Sequence, residues 1–245
     1  DTIRKNRQKR IEKERQQTAV RESVNLTGIV LKASPVGDND RRLVILTRER
    51  GKITAFARGA KRPGSQLMGV TRPFVFGTFK LYEGRDAYNL QGADVLNYFA
   101  EIPLDMEAAC YGSYFLEFAD YYGRENLEAT EQLLLLYQSL RALLKPALPD
   151  PLVQAVFELR SMVINGDYTE HPPRPVSDSA NYAWEYIIAS PLESLYTFTL
   201  APEVLEELKH CVELNKRRFI DREFHSLEIL RMMEQTVART SGAKC

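Results

Sequence analysis

A cluster of basic side chains is the part of this sequence with the clearest chemistry. Residues 52–72 contain five Lys or Arg, no Asp or Glu, and one aromatic ring at Phe56. Cations bind the phosphates of a single strand, and an aromatic ring stacked on a base contributes about 1–3 kcal/mol. The sequence therefore predicts a DNA-binding site formed by Arg41, Arg42, Lys52, Phe56, Arg58, Lys61, Arg62 and Arg72.

Each part of this site has a simpler alternative. Phe56 could pack against the helical domain, since covered aromatic side chains outnumber stacking platforms. The basic side chains could form an ordinary solvated surface. Both alternatives stay open at the level of the sequence.

Five short strands must position the basic cluster. Runs rich in β-branched residues and separated by Gly, Pro and Asp turns predict strands at 26–33, 41–47, 53–58, 73–82 and 87–99. Five strands with a long loop between the third and fourth favour a small closed barrel of the OB type. An SH3-like or other small β-barrel is the alternative.

Helical periodicity replaces the strand pattern after Pro103. The predicted helices cover residues 105–122, a segment capped by Asn126 and ending near 144, 150–165, 180–189, 202–218 and 223–235. The fold class is α+β. We expect three parts: a basic N-terminal arm, disordered or helical, at 1–23, an OB-fold nucleic-acid-binding domain at 24–100, and a helical domain at 101–245.

The neutral chain contains two halves of opposite charge. Residues 25–100 hold twelve Lys or Arg against six Asp or Glu, and residues 101–245 hold thirteen against twenty-three. We therefore expect the barrel to meet a polyanion and the helical half to meet proteins. The alternative is an adaptor whose barrel contacts a protein partner rather than nucleic acid.

Several classes of protein are disfavoured by the same sequence. No apolar run is long enough for a membrane span or a signal peptide, and three scattered cysteines fit a reducing cytoplasm. None of the common catalytic motifs occurs, so we expect no enzyme. Asp38, Asp40 and Glu49 could suggest a metal-dependent nuclease, but their positions in predicted turns explain them more simply.

Several fragments, taken in order, carry a family resemblance. They include Thr-Gly-Ile-Val-Leu at 27–31, Gly-Asp-Asn-Asp-Arg at 37–41, Leu-Thr-Arg-Glu-Arg-Gly-Lys at 46–52, Ala-Arg-Gly-Ala-Lys-Arg-Pro at 57–63, Tyr-Gly-Ser-Tyr-Phe-Leu-Glu at 111–117, Phe-Glu-Leu-Arg at 157–160 and Phe-His-Ser-Leu-Glu-Ile-Leu at 224–230. Together they resemble the bacterial RecO family of recombination mediators, over residues 24–230.

The resemblance implies an OB domain, a helical domain, no catalytic site and no cofactor. It also implies that the protein binds and anneals single-stranded DNA and, with RecR, helps load the RecA recombinase onto strands coated by the single-strand-binding protein. Another implied partner is the C-terminal tail of the single-strand-binding protein. The implied location is the bacterial cytoplasm, associated with the nucleoid.

One departure from the family concerns metal. Many members carry four zinc-binding cysteines after the central helices, whereas the matching connector 167–177 has none. The nearest alternatives are His171, His210, Cys211 and His225. Adjacent residues on a helix point about 100° apart, which does not suit a structural zinc site. We therefore expect no metal site.

The helical half offers one candidate for protein docking. The stretch 111–122 is rich in aromatic and aliphatic side chains, and Arg124 follows it. An acidic, apolar peptide could place its apolar end there and its carboxylate on a cation. The candidate partner-binding residues are Phe115 and Arg124, and the alternative is that the stretch is helical core.

Overall fold

The computed structural model describes residues 23–230 and Met232, and five strands open it. They are β1 (Ser23–Val36), β2 (Asp40–Thr47), β3 (Gly51–Ala57), β4 (Phe76–Glu83) and β5 (Tyr88–Asn97). They form a closed barrel in the order β1-β2-β3-β5-β4, which closes by antiparallel pairing of β1 with β4. This confirms the predicted five-stranded OB-type barrel. The predicted arm, except for Ser23, lies outside the described residues.

The alternation of side chains explains why these segments become barrel strands. In β3, Ile53, Ala55 and Ala57 are buried, while the residues between them are half-buried. Successive side chains of a strand point to opposite faces, so one face fills the barrel and the other looks outward. The core of the barrel is completed by Leu43, Ile45, Phe79 and Leu81, among others.

Strand β4 differs in part from its prediction. Its apolar composition predicts cover on both faces, but Lys80 is exposed and Thr78 and Tyr82 are only half-buried. Both faces are covered only at the start of the strand. There Gly77 is buried, and the Phe76 ring lies 4.6 Å from that of Tyr137 in the helical half.

Helices form the rest of the described chain. A one-turn helix α1 (Leu67–Val70) lies in the loop between β3 and β4. The others are α2 (Met106–Tyr122), α3 (Thr130–Leu143), α4 (Asp150–Asn165), α5 (Asp178–Ala189) and α6 (Pro202–Phe219), followed by a helical segment at 225–230. None of the helices described is long and apolar enough to cross a membrane.

Two predicted helix ends had different outcomes. As predicted, helix α4 ends at Asn165 and is capped by Gly166, whose φ of 80° is the left-handed conformation that glycine adopts easily. The prediction that Asn126 caps the next helix is wrong, because Asn126 itself has a φ of 60° and α3 begins only at Thr130. The residues between them are held by the barrel instead.

The barrel and the helices share one core. Ile29, Leu31 and Leu46 of the barrel belong to the same buried cluster as α2, α3 and α4. Main-chain bonds reinforce the contact, since Asn126 N donates to Arg50 O at 3.0 Å and Ala129 N to Arg48 O at 2.9 Å. The domain limits 24–100 and 101–245 stay predictions, but the two halves are joined by packing as well as by the chain.

Candidate nucleic-acid interface

The loop 58–72 after β3 carries most of the predicted cations. Arg58, Lys61, Arg62 and Arg72 are all exposed. None of these four forms an ion pair within the described residues. Four unpaired cations on one loop give this end of the barrel a positive surface.

The loop is anchored rather than free, although it has little regular structure. Ala60 and Val70 are buried in the barrel core. At the start of the loop, Gly59 N donates to Asp40 Oδ1 at 2.8 Å. These anchors fix the backbone beside the exposed cations, so less conformational entropy is lost when a ligand binds.

Arg41 has a structural role within this surface, because its side chain anchors the basic loop. Its Nη1 atom donates to Thr71 O at 2.9 Å and to Thr71 Oγ1 at 3.0 Å. It therefore ties strand β2 to the far end of the basic loop. It also lies beside Lys61 and Arg72 in a recess of about 390 Å³ lined by Ala33, Pro35, Arg41, Lys61, Thr71, Arg72 and Pro73.

Phe56 and Arg42 form a second part of the surface. They are paired across β3 and β2, so they are neighbours on one face of the sheet. Arg42 is exposed, and Phe56 is half-buried and is grouped with neither buried core of the described residues. The alternative that Phe56 packs into the helical half does not describe its position.

Lys52 is not part of this surface, although it shares a strand face with Phe56. Its Nζ atom forms an ion pair with Asp120 Oδ1 at 3.1 Å and donates to Asp120 O at 2.7 Å. Four residues of strand separate Lys52 from Phe56 by about 13 Å. The structure thus assigns Lys52 to the contact with α2, which corrects its prediction as a DNA ligand.

Two of the three carboxylates that could suggest a nuclease, Asp40 and Glu49, have structural partners. Asp40 holds the basic loop, as described above. Glu49 Oε2 accepts from Thr27 N at 3.0 Å, and its Oε1 pairs with Arg48 at 2.9 Å. In the described part of the chain, no group of three or more His, Cys, Asp or Glu is arranged to hold a metal ion.

The docking prediction for the helical half needs a correction. Phe115 is fully buried, and its ring lies 4.3 Å from that of Phe157. It therefore cannot contact a partner at the surface, and the alternative of helical core describes it. Arg124 is exposed and lines a recess of about 370 Å³ with Leu127 and Ile164.

Sequence reasoning also missed two kinds of residue. The anchor of Arg41 at Thr71 leaves no signal in the sequence, because thirty positions separate the partners. Exposed apolar side chains at residues 96–106 were missed for a different reason, since exposure cannot be read from residue type. Their nearby carboxylates, and the lack of any Lys or Arg around them, were a signal that could have been used.

The barrel and its basic loop define the class of protein: an OB-fold protein with an attached helical half. Residues 21–99 match the family model described as "Recombination protein O N terminal", and residues 103–170 match "Recombination protein O C terminal". Together the two matches cover more than half of the chain. The chain belongs to the RecO family, whose members act in DNA repair and recombination.

Individual relatives support the same assignment. The chain is 25% identical to the DNA repair protein RecO of Acetivibrio thermocellus over 242 residues, which cover 85% of this chain and 96% of the relative. It is 36% identical over 138 residues to the RecO protein of Desulforudis audaxviator, covering 56% of this chain and 55% of that protein. For the RecO protein of an Exiguobacterium species, the identity is 32% over 118 residues, 48% of this chain and 47% of the relative.

Proposed function

We propose that the protein is a DNA repair and recombination mediator that binds single-stranded DNA on the basic loop of its barrel. The observation that carries this proposal is the convergence of Arg41, Lys61 and Arg72 on one recess, beside exposed Arg58 and Arg62. Spaced cations can follow a phosphate backbone without reading bases, as a mediator of general recombination requires.

Phe56 and Arg42 extend this site along the barrel. A half-buried aromatic ring beside an exposed guanidinium offers a stacking surface for one base and a cation for the adjacent phosphate. We propose that bound strands are annealed to complementary strands without turnover. Neutralising phosphate charge on two strands reduces their mutual repulsion, which is the physical basis for annealing.

We also propose that the protein works in the bacterial cytoplasm with RecR to load RecA onto strands coated by the single-strand-binding protein. This proposal is supported by the membership of the chain in the RecO family. Arg124 is the one predicted partner contact that the structure leaves at the surface, beside the apolar side chain of Leu127. We propose the Arg124 recess as the contact for the acidic tail of the single-strand-binding protein.

The test of DNA binding is a salt titration with a labelled single-stranded oligonucleotide. For single strands, the logarithm of the binding constant falls with the logarithm of salt concentration by about 0.7 per phosphate contact. Four or five contacts would therefore give a slope near −3. A flat slope, or no binding, would remove the DNA site and favour the alternative of a protein adaptor.

A further inference from the structure

The segment that joins the barrel to α2 exposes a concentrated set of apolar side chains. Leu96 is 69% exposed, Tyr98 52%, Leu104 86% and Met106 72%. Single exposed apolar side chains are normal on protein surfaces, whereas concentrated ones mark sites of interaction. We name residues 94–107 the acidic apolar ridge, because exposed carboxylates surround these side chains.

These four side chains are not needed to build the core. The same segment supplies Phe99 and Ile102, both fully buried, to the shared core of barrel and helices. The Phe99 ring packs on Tyr137 at 5.4 Å. The inward positions of the segment are therefore filled, and the four outward apolar side chains belong to neither buried core of the described residues.

The ridge is compact. Three main-chain hydrogen bonds, from residue 102 to 99, 104 to 101 and 105 to 102, turn the chain back on itself. Only residues 102–104 form a 3₁₀ helix, and Asp105 returns to an extended backbone. Leu96 near the end of β5 and Tyr98 just beyond it are exposed, whereas Asn97 between them is half-buried and Phe99 is buried. The ten steps from Leu96 to Met106 therefore span less than the roughly 35 Å of a fully extended chain. A partner helix of four to five turns, about 22–27 Å long, is comparable with that length.

The charges around these side chains all have one sign. Asp94, Glu101, Asp105 and Glu107 are exposed, and no Lys or Arg occurs between Arg85 and Arg124. Among the described residues, none of the four carboxylates forms an ion pair. This charge repels phosphate and the acidic tail of a single-strand-binding protein.

The same negative charge affects the pKa of Asp150 on the neighbouring helix α4. It is the first residue of α4, and burial together with the charges of Glu107 and Asp105 raises its pKa to about 6. A surface with this charge is complementary to a positively charged partner.

We propose that the acidic apolar ridge is a docking site for a partner protein that presents a basic amphipathic helix. The apolar face of such a helix covers Leu96, Tyr98, Leu104 and Met106, and its Lys or Arg side chains pair with the surrounding carboxylates. Apolar contact supplies most of the affinity, and the carboxylates fix orientation and speed association. The ridge shares no residue with the basic loop, and this proposal does not rest on the proposed DNA binding.

The experiment uses the full chain and a defined probe, an 18-residue helical peptide of Lys and Leu with its leucines on one face. A peptide of the same composition in scrambled order, with leucines on all faces, is the control ligand. Affinities are measured at 150 mM salt, where weak long-range attraction is screened. We expect the amphipathic peptide to bind at least tenfold more tightly than the scrambled one.

Paired variants locate the site. Leu104→Ser with Met106→Ser, and separately Glu101→Gln with Glu107→Gln, should each weaken binding at least tenfold. The matched controls replace exposed side chains elsewhere: Tyr182→Ser with Ile229→Ser, and Glu203→Gln with Glu223→Gln. We expect the controls to change the affinity less than twofold. Equal losses in ridge and control variants, or none in the ridge variants, would overturn the proposal.

Two further readouts separate this proposal from others. A photoreactive group on the peptide should cross-link to residues 94–107, and cross-links elsewhere would contradict the site. Ridge variants should bind single-stranded oligonucleotide as the unaltered protein does, so failure of one proposal leaves the other intact. Sedimentation that shows a dimer, lost only in the ridge variants, would assign the ridge to a second copy of the chain and overturn the proposed partner.

Discussion

Lys52 Nζ lies 3.1 Å from Asp120 Oδ1 and 2.7 Å from the main-chain oxygen of the same residue. Lys52 is the first outward-facing residue of β3, and Asp120 lies in the last turn of α2. The pair therefore joins the strand that leads into the basic loop to the first long helix. A main-chain hydrogen bond from Lys52 N to Arg124 O, at 2.9 Å, strengthens this contact.

Replacing Lys52 should affect stability rather than DNA binding. We expect Lys52→Met to lower the free energy of unfolding by about 1 kcal/mol, because a partly exposed ion pair and a hydrogen bond to a carbonyl are lost. Affinity for single-stranded DNA should change less than twofold. The matched variant Arg58→Met should instead weaken DNA binding and have little effect on stability, since Arg58 is exposed on the basic loop. A large loss of DNA affinity in Lys52→Met would return Lys52 to the DNA site.

Charge reversal on the basic loop should weaken DNA binding strongly. We expect the double variant Lys61→Glu, Arg62→Glu to lose more than tenfold in affinity at low salt, because about two phosphate contacts become repulsions. The control Lys145→Glu, Arg218→Glu makes the same charge change at exposed positions of the helical half. It should lose less than threefold. Similar losses in both variants would show that only net charge matters.

Glycine at position 51 should be required for the contact between barrel and helices. Gly51 has a φ of 62°, and a Cβ atom there would clash with the main-chain oxygens of Arg124 and Leu127. We expect Gly51→Ala to cost at least about 2 kcal/mol of unfolding free energy, measured by urea denaturation. Gly64 has a similar φ of 77° but open space around it, so Gly64→Ala isolates the backbone strain and should cost about 1 kcal/mol. Equal costs would mean that the packing at Gly51 can adjust.

A buried ion pair should make the protein sensitive to alkaline pH. Lys216 Nζ lies 2.8 Å from Glu158 Oε1, which also accepts from Tyr114 Oη and Gln154 Nε2. Burial by itself lowers the pKa of Lys216, but its bonds to Glu158 and Glu213 outweigh burial and raise the pKa above the ordinary 10.5. The stabilisation is therefore full below the unfolded pKa and is lost as the pH rises through the folded pKa.

The measurement is urea denaturation between pH 8 and pH 12. We expect Lys216→Met to lose about 3 kcal/mol at pH 8, because Glu158 keeps a buried charge without its cation. The loss should shrink as the pH rises past about 10.5, where the unaltered protein weakens too. Lys209→Met, at a surface pair with Glu206, should cost less than about 1 kcal/mol. A loss for Lys216→Met that is constant with pH would contradict this account.

Removing metal should leave the fold unchanged. The connector 167–177 has no cysteine, and in the described part of the chain no cluster of ligand side chains could hold a metal ion. We expect elemental analysis of the purified protein to find no stoichiometric zinc. A chelator should shift the melting temperature by less than about 1 °C, since a structural zinc site would contribute much more to folding. A large drop would point to His210, Cys211 or His225.

The sequence alone was sufficient for the fold class and for the charge of each half. The strand pattern places Ile53, Ala55 and Ala57 on one face of β3, and all three are buried, whereas Thr54 and Phe56 on the other face are half-buried. Gly166 marks the end of α4 for an equally local reason, its freedom to adopt a left-handed backbone. The basic cluster followed from counting charges, which requires no coordinates.

Only the tertiary structure decided which of the basic side chains, and which of the apolar side chains, are available to a ligand. By alternation along the strand, Lys52 and Arg58 are predicted on the same face. Yet Lys52 forms an ion pair with Asp120, whereas Arg58 is exposed. Phe115 is interior, whereas Leu104, with a similar apolar side chain, is at the surface. The physical reason is that secondary structure depends on near neighbours along the chain. Exposure instead depends on partners such as Asp120, sixty-eight positions from Lys52, which only packing brings together.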